Sequence, residues 1–192
     1  MTAIHPSEEQ IKDVVLNAHG NLDRVKELVE ANPDLVTVVA PWNETPLQAA
    51  SHMGHCGIAE FLLSNGAQLD IFAAAMLGRQ SDVAAFLDGD PDLVRSRGVH
   101  DMPILYFPAT RGELAVAELL VERGADANDG AGQNTALHAT AHFGQPAMAR
   151  WLLERGADAT AVDFENKTPL QIATEREQLE VARLLQDYIT AR

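Results

Sequence analysis

Short apolar segments recur along the chain in pairs, and a glycine turn separates the two members of each pair. In TPLQAASHMGHCGIAEFLLSNGAQLD, which starts at Thr45, an Ala-rich stretch precedes Gly54 and a Leu-rich stretch follows it. The Thr45 hydroxyl can cap a helix, Pro46 suits the first helical position, and Gly66 suits the position just past a helix end. The pattern predicts a helix-turn-helix unit. Neither helix can bury its apolar face alone, so such units must stack.

This unit recurs along nearly the whole chain. Similar segments start at Thr135 and Thr168, the second half of the pattern recurs after Pro103, and more degenerate copies start at Ile11 and Leu69. Successive turn centres are 34, 24, 34, 32 and 33 residues apart, and they fall at Gly20, Gly54, Gly78, Gly112, Gly144 and Glu177. A fixed period of this length is typical of repeat proteins.

The motifs T-P-L-H, A-A-x-x-G-H and L-L-L-x-x-G-A-D resemble the ankyrin repeat over roughly residues 8–190. The resemblance implies an all-α solenoid of stacked helix-turn-helix units with short β-hairpin fingers. We expect one domain over residues 1–192, with repeats at approximately 8–40, 41–68, 69–97, 98–128, 129–160 and 161–192.

Two repeats depart from the pattern. The short spacing between Gly54 and Gly78 leaves no room for a finger before Ile71, which could leave a gap there. In the fourth repeat, Pro108 falls inside the first helix and should kink it. Alternatively, Met102 and the proline after it match the Thr-Pro of other repeats, with one extra residue absorbed as a bulge. Both alignments predict an irregular helix.

His52, His55 and Cys56 carry side chains that zinc prefers, but the resemblance implies that they diverge. His55 would serve the turn between helices, Cys56 would face the core as a small hydrophobic residue, and His52 would point into the concave groove. Metal sites need convergent ligands, so we predict no metal site in this trio. His19 and His52 lie in adjacent repeats and could hold a transition metal weakly. With only two ligands visible, a solvated polar groove is the favoured interpretation.

The resemblance places a partner-binding surface on the finger tips and on the groove ends of the first helices. Aromatic and Met side chains that recur on one exposed face mark interaction sites. Met76 and Leu77 could instead be covered by their neighbours, because the finger before them is missing. The predicted partner-binding residues are Trp42, His52, Met53, Met76, Leu77, His100, Arg111, His142, Phe143 and Phe164.

Composition narrows the possible partners. The chain has 192 residues and a net charge of −14, which disfavours nucleic acid and anionic membrane surfaces. No apolar run is long enough to span a bilayer, and the N-terminal residues do not resemble a signal peptide, so we expect a cytoplasmic protein. The single cysteine excludes an internal disulfide.

No nucleophile elbow, zincin, phosphate-loop or dinucleotide motif is present, and we predict no catalytic residues and no cofactor. The favoured function is a non-enzymatic module that binds a protein partner in the groove as a monomer. The alternatives are a small-molecule or weak metal binder around His19 and His52, and a structural protein that self-associates.

Overall fold

The computed structural model describes residues 5–191, and over this range the chain is helical. It divides into two compact units, one up to Ala73 and one from Ala74 onward. The first unit contains α1 (Glu8–Asn17), α2 (Leu22–Ala31), a 3-10 helix (Pro33–Thr37), α3 (Pro46–His52) and α4 (Cys56–Ser64). Helix α5 (Ile71–Met76) crosses the boundary. The second unit contains 3-10 helices Pro91–Arg95 and Val99–Asp101 and α-helices α6 (Gln80–Gly89), α7 (Tyr106–Ala109), α8 (Leu114–Glu122), α9 (Ala136–Phe143), α10 (Pro146–Glu154), α11 (Pro169–Glu175) and α12 (Leu179–Thr190).

Capping boxes begin four of the first helices of the repeats: Ser7 and Gln10 form the one at α1, and the sequence predicts the threonine caps of the other three. The Thr45 hydroxyl accepts a hydrogen bond from the backbone N–H of Gln48, and the Gln48 side chain accepts one from the backbone N–H of Thr45. The pairs Thr135–His138 and Thr168–Gln171 repeat this arrangement. Each box satisfies two N–H groups that a helix start leaves without an intrahelical partner.

The turn glycines are contact points between consecutive repeats. A Cβ atom added to Gly144 would clash with Oε1 of Gln178, which follows the turn of the next repeat. Gly112 has the same relation to Gln145, and Gly20 has it to His55. Each polar side chain therefore lies over the preceding glycine. This packing explains why glycine recurs at the turns and assigns His55 a structural role there.

The fourth repeat is irregular, as both sequence alignments predict. Its first helix, α7, is reduced to four residues and begins at Tyr106. Pro108 therefore falls in the first turn, where the backbone N–H has no intrahelical partner and its absence costs little. Shortening of the helix accommodates the proline.

The predicted all-α class is confirmed, but the fingers differ from the expected β-hairpins. Among residues 5–191 the only β-bridge is an isolated one between Arg97 and Pro103, and the fingers are tight turns. In two of them, Ala40 N–H donates to the Glu44 carbonyl and Asp163 N–H donates to the Lys167 carbonyl, both at 2.8–2.9 Å. Such short closures leave too few residues for a paired ladder.

Trp151 and Cys56 test the predicted core. Trp151 is buried, as expected for a residue in a leucine position of α10. Cys56 is only half-buried, so the expectation that it is a core residue is wrong. The cysteine is the first residue of α4, where the helix end leaves one side of the side chain open to solvent.

Candidate functional sites

A buried cluster in the first unit joins one finger turn to the ends of two helices. Asn43 adopts the left-handed conformation, with φ of 65°, which closes the turn and directs Glu44 away from solvent. The next residue, Thr45, caps α3, so the finger and the helix are fixed to each other. His52 is the last residue of the same helix, and His19 follows α1.

The carboxylate of Glu44 lies at the centre of this cluster. Its Oε1 atom is 3.0 Å from Nε2 of His52 and 3.6 Å from Nε2 of His19. Its other oxygen, Oε2, accepts a hydrogen bond of 2.7 Å from the indole N–H of Trp42. The Trp42 bond therefore fixes the carboxylate plane and directs Oε1 toward both imidazoles.

The hydrogen bond of the His19 ring determines which nitrogen carries its proton. Nδ1 lies 2.9 Å from the carbonyl oxygen of Val15, and a carbonyl can only accept a hydrogen bond. Nδ1 therefore carries a proton, and in the neutral form of the ring Nε2 presents a lone pair toward Glu44. The two imidazoles meet edge to face, with ring centroids 5.0 Å apart.

The cluster keeps an ionised carboxylate in a nearly water-free position. The Glu44 side chain is 2% exposed, whereas the His19 side chain is 29% exposed. Burial alone would raise the pKa of Glu44, but the contacts with His52 and Trp42 and the nearby charge of His19 outweigh it, so the pKa is lowered. The charge is held by specific partners in place of water.

The structure brings together Trp42 and His52 among the predicted partner-binding residues. His52 was expected to lie in an open groove, but it is only 6% exposed, so that placement is wrong. The reason is the finger: Glu44 and Trp42 cover the end of α3. Met76 is also fully buried, as are the three residues before it, which decides against its exposure in the groove.

The remaining predicted residues reach solvent to different extents. Trp42 is 41% exposed and Phe164 is 62% exposed, both on finger turns. His100 and Arg111 are exposed, and four others are half-buried: Met53, Leu77, His142 and Phe143.

Sequence reasoning missed Glu44, although a signal for it existed. The residue directly precedes the capping Thr45, and a cap fixes its neighbour against the helix it starts. A carboxylate at that position, with a histidine at the far end of a helix only seven residues long, was the signal.

A second candidate site lies between the fingers of the second unit. An open cleft of about 640 Å³ is lined by His100, Asp101, Met102, Gln133, Asn134 and Phe164. Gly132 N–H donates to the Val162 carbonyl at 2.9 Å, and Phe164 N–H donates to the Gln133 carbonyl at 3.0 Å. These bonds join two consecutive fingers into one wall of the cleft.

The opposite side of this cleft has a restrained backbone. His100 and Asp101 both adopt positive φ, at 55° and 57°. Arg97 donates to the carbonyl of Asp101 at 3.1 Å and forms an ion pair with Asp129. Consecutive non-glycine residues in this conformation are energetically costly and are found at ligand-contacting loops.

Stacked helix pairs with capped first helices, glycine turns and short fingers define a helical repeat protein. The family model described as "Ankyrin repeats (3 copies)" matches residues 71–163 and 105–191, and the one described as "Ankyrin repeat" matches residues 42–73. These matches cover more than half of the chain. The chain belongs to the ankyrin-repeat family.

Among curated proteins, the chain is similar to alpha-latrocrustotoxin-Lt1a of Latrodectus tredecimguttatus. The two are 27% identical over 121 residues, which is 59% of this chain and 9% of the toxin. The chain thus spans less than a tenth of the length of this relative. Ankyrin repeats indicate a protein–protein interaction module, and proteins built from them are generally non-enzymatic. Within residues 5–191, none of the helices combines the length and the apolar character that a membrane span requires.

Proposed function

We propose that this protein binds a protein partner through its finger turns, with the cleft beside Phe164 as the main contact in the second unit. The observation that carries the proposal is the exposure of this aromatic ring, at 62%, on a finger that backbone hydrogen bonds hold in place. Exposed aromatic residues beside a polar rim are typical of binding sites. A preformed surface also loses little entropy on binding.

The residues that line the cleft indicate which kind of partner segment would bind there. Phe164 and Met102 provide apolar area, and Gln133 and Asn134 provide amide groups that can both donate and accept hydrogen bonds. Asp101 adds negative charge to the lining, in a chain with a net charge of −14. An extended segment with one large apolar side chain and flanking lysines or arginines fits this surface, because opposite potentials accelerate encounter and fix register.

The test is an affinity capture with the full chain, followed by measurement of the dissociation constant for each captured protein. Three variants accompany the wild type: Phe164→Ala in the finger, Phe143→Ala at the groove end of α9, and Leu179→Ala as the control. Leu179 is a highly exposed apolar residue of the same unit that lies outside the fingers. We expect Phe164→Ala to weaken binding at least about tenfold and Leu179→Ala to leave it unchanged.

Equal binding by wild type and Phe164→Ala would refute the finger site. If Phe143→Ala alone weakened binding, the concave groove would be the contact surface.

The proposal includes three further properties. The chain acts without catalysis, in the cytoplasm and as a monomer. Light scattering over a concentration series tests the last property, since association through the exposed apolar fingers would raise the apparent mass with concentration.

A further inference from the structure

We propose that His19, Glu44 and His52 form a binding site for a divalent transition-metal ion of the zinc type. The ligands would be Nε2 of His19, Oε1 of Glu44 and Nε2 of His52. This inference is independent of the proposed partner-binding function and concerns only the first unit.

The spacing of the three atoms carries the proposal. All three lie within 4.8 Å of one another, and Oε1 is 3.0 Å and 3.6 Å from the two nitrogens. Ligands bound at 2.0–2.1 Å in a tetrahedral site are about 3.3 Å apart, which lies between these two distances. The two imidazole nitrogens need to approach by at most about 1.5 Å to complete the site.

Each supporting contact prepares a ligand atom. The Val15 carbonyl holds the proton of His19 on Nδ1, which leaves Nε2 with a lone pair. The Trp42 indole holds Oε2 of Glu44, which leaves Oε1 directed at both histidines. Hydrogen bonds of this kind to metal ligands orient them and adjust their affinity.

The electrostatic balance also favours a cation. When His19 is in its neutral form, the lone pair on Nε2 faces a carboxylate oxygen at 3.6 Å, and a positive ion between these two electron-rich atoms would stabilise them. Two neutral imidazoles and one carboxylate would bring the net charge of an occupied site to +1, within an acidic protein. The partly exposed side of His19 gives an ion access and leaves room for a water ligand.

The final repeat shows what the same position looks like without this chemistry. There, Lys167 takes the place of Glu44 before the capping threonine, and Glu175 takes the place of His52 at the end of α11. Their side chains form an ion pair of 2.8 Å that is half exposed, and Lys167 also pairs with Glu165. A contact between finger and helix end is thus common to both repeats. Burial and a third convergent ligand distinguish the second repeat.

The test is a titration of the chelator-treated full chain with ZnCl₂, followed by calorimetry. We expect saturable binding of one ion per chain. His19→Gln should weaken it at least about tenfold, because a ligand is lost while the buried Glu44–His52 contact is kept. His142→Gln is the matched control, since this half-buried histidine of the second unit lies outside the cluster, and we expect it to leave the affinity unchanged.

Two further measurements separate a ligand role from a structural one. Thermal unfolding in EDTA should be similar for wild type and His19→Gln, whereas ZnCl₂ should raise the midpoint of the wild type alone. Co²⁺ should give a ligand-field absorption band in the wild type that His19→Gln abolishes. Trp42→Phe should keep the band and weaken Zn²⁺ binding about tenfold, because the carboxylate loses its orienting donor. The proposal is overturned if the wild type does not bind one ion saturably, or if His19→Gln binds as tightly as the wild type.

Discussion

Replacing Gly144 with alanine tests the packing of consecutive repeats. Gly144 ends α9 in the left-handed conformation, with φ of 69° and ψ of 53°. A methyl group there meets two costs: the backbone conformation is unfavourable for alanine, and the new Cβ would clash with Oε1 of Gln178. The first cost is about 1–2 kcal/mol. The second requires the terminal amide of the flexible Gln178 side chain to move, so it adds a small coupling between neighbours of about 0.5–1 kcal/mol.

Gly156 is the matched control for the backbone cost alone. It also has positive φ, at 84°, but an added Cβ would have no atom within 4 Å. We expect Gly156→Ala to lower the free energy of unfolding by about 1–2 kcal/mol and Gly144→Ala to lower it by more.

A double-mutant cycle isolates the contact. Urea unfolding followed by circular dichroism gives the free energy of unfolding for Gly144→Ala, Gln178→Ala and the double variant. In the Gln178→Ala background, Gly144→Ala should cost no more than Gly156→Ala does. If Gly144→Ala costs the same with and without Gln178, the glycine serves only the turn, and the packing explanation is wrong.

Three other measurements test the interior of the second unit and its caps. Leu152→Ala removes a fully buried side chain of α10 and should lower the free energy of unfolding by about 2–5 kcal/mol in urea, whereas Leu179→Ala should change it little. Thr168→Ala removes a helix cap and should cost about 1 kcal/mol, and Thr168→Ser should restore it. Burial lowers the pKa of His138, although the Lys167 carbonyl and Asp163 oppose this effect. As the pH falls, the unfolded chain therefore takes up the proton before the folded chain does. The stability that is present above about pH 6.5 declines as the pH falls below that value. His138→Gln should reduce this decline between about pH 7 and pH 5 and keep the capping box, as Gln171 does in the next repeat; an unchanged decline would exclude His138 as its source.

The repeat architecture was predictable because local signals and periodicity agree. A capping threonine, a proline at the first helical position and a turn glycine each specify backbone geometry within a few residues. The contacts of His138 depend on the same cap: its Nδ1 faces Thr135, and its Nε2 faces the Lys167 carbonyl of the next repeat at 3.2 Å.

The fingers and the fourth repeat were harder to predict because their geometry depends on small shifts in where an element begins. Helix α7 begins at Tyr106, so Pro108 lies in its first turn and breaks no intrahelical hydrogen bond. Neither the kinked nor the bulged alignment predicted this start. Likewise, the hydrogen bond between Ala40 and Glu44 closes the finger as a turn, and too few residues flank this turn to pair as strands.

Sequence reasoning named His19 and His52 as a weak metal-binding pair but missed Glu44 as the third ligand, because the three residues come from different elements. Sequence reasoning placed His52 by its position in the repeat, which assigns a direction to each side chain relative to the groove but takes no account of the finger. The finger turns Glu44 inward and brings Trp42 over it, so a position expected to be open becomes buried. A repeat motif describes what repeats share, whereas the chemistry of this cluster comes from the residues in which the second repeat differs from the sixth. Such sites can therefore be identified from a sequence by comparing the repeats of one chain position by position, with attention to charged residues beside the caps.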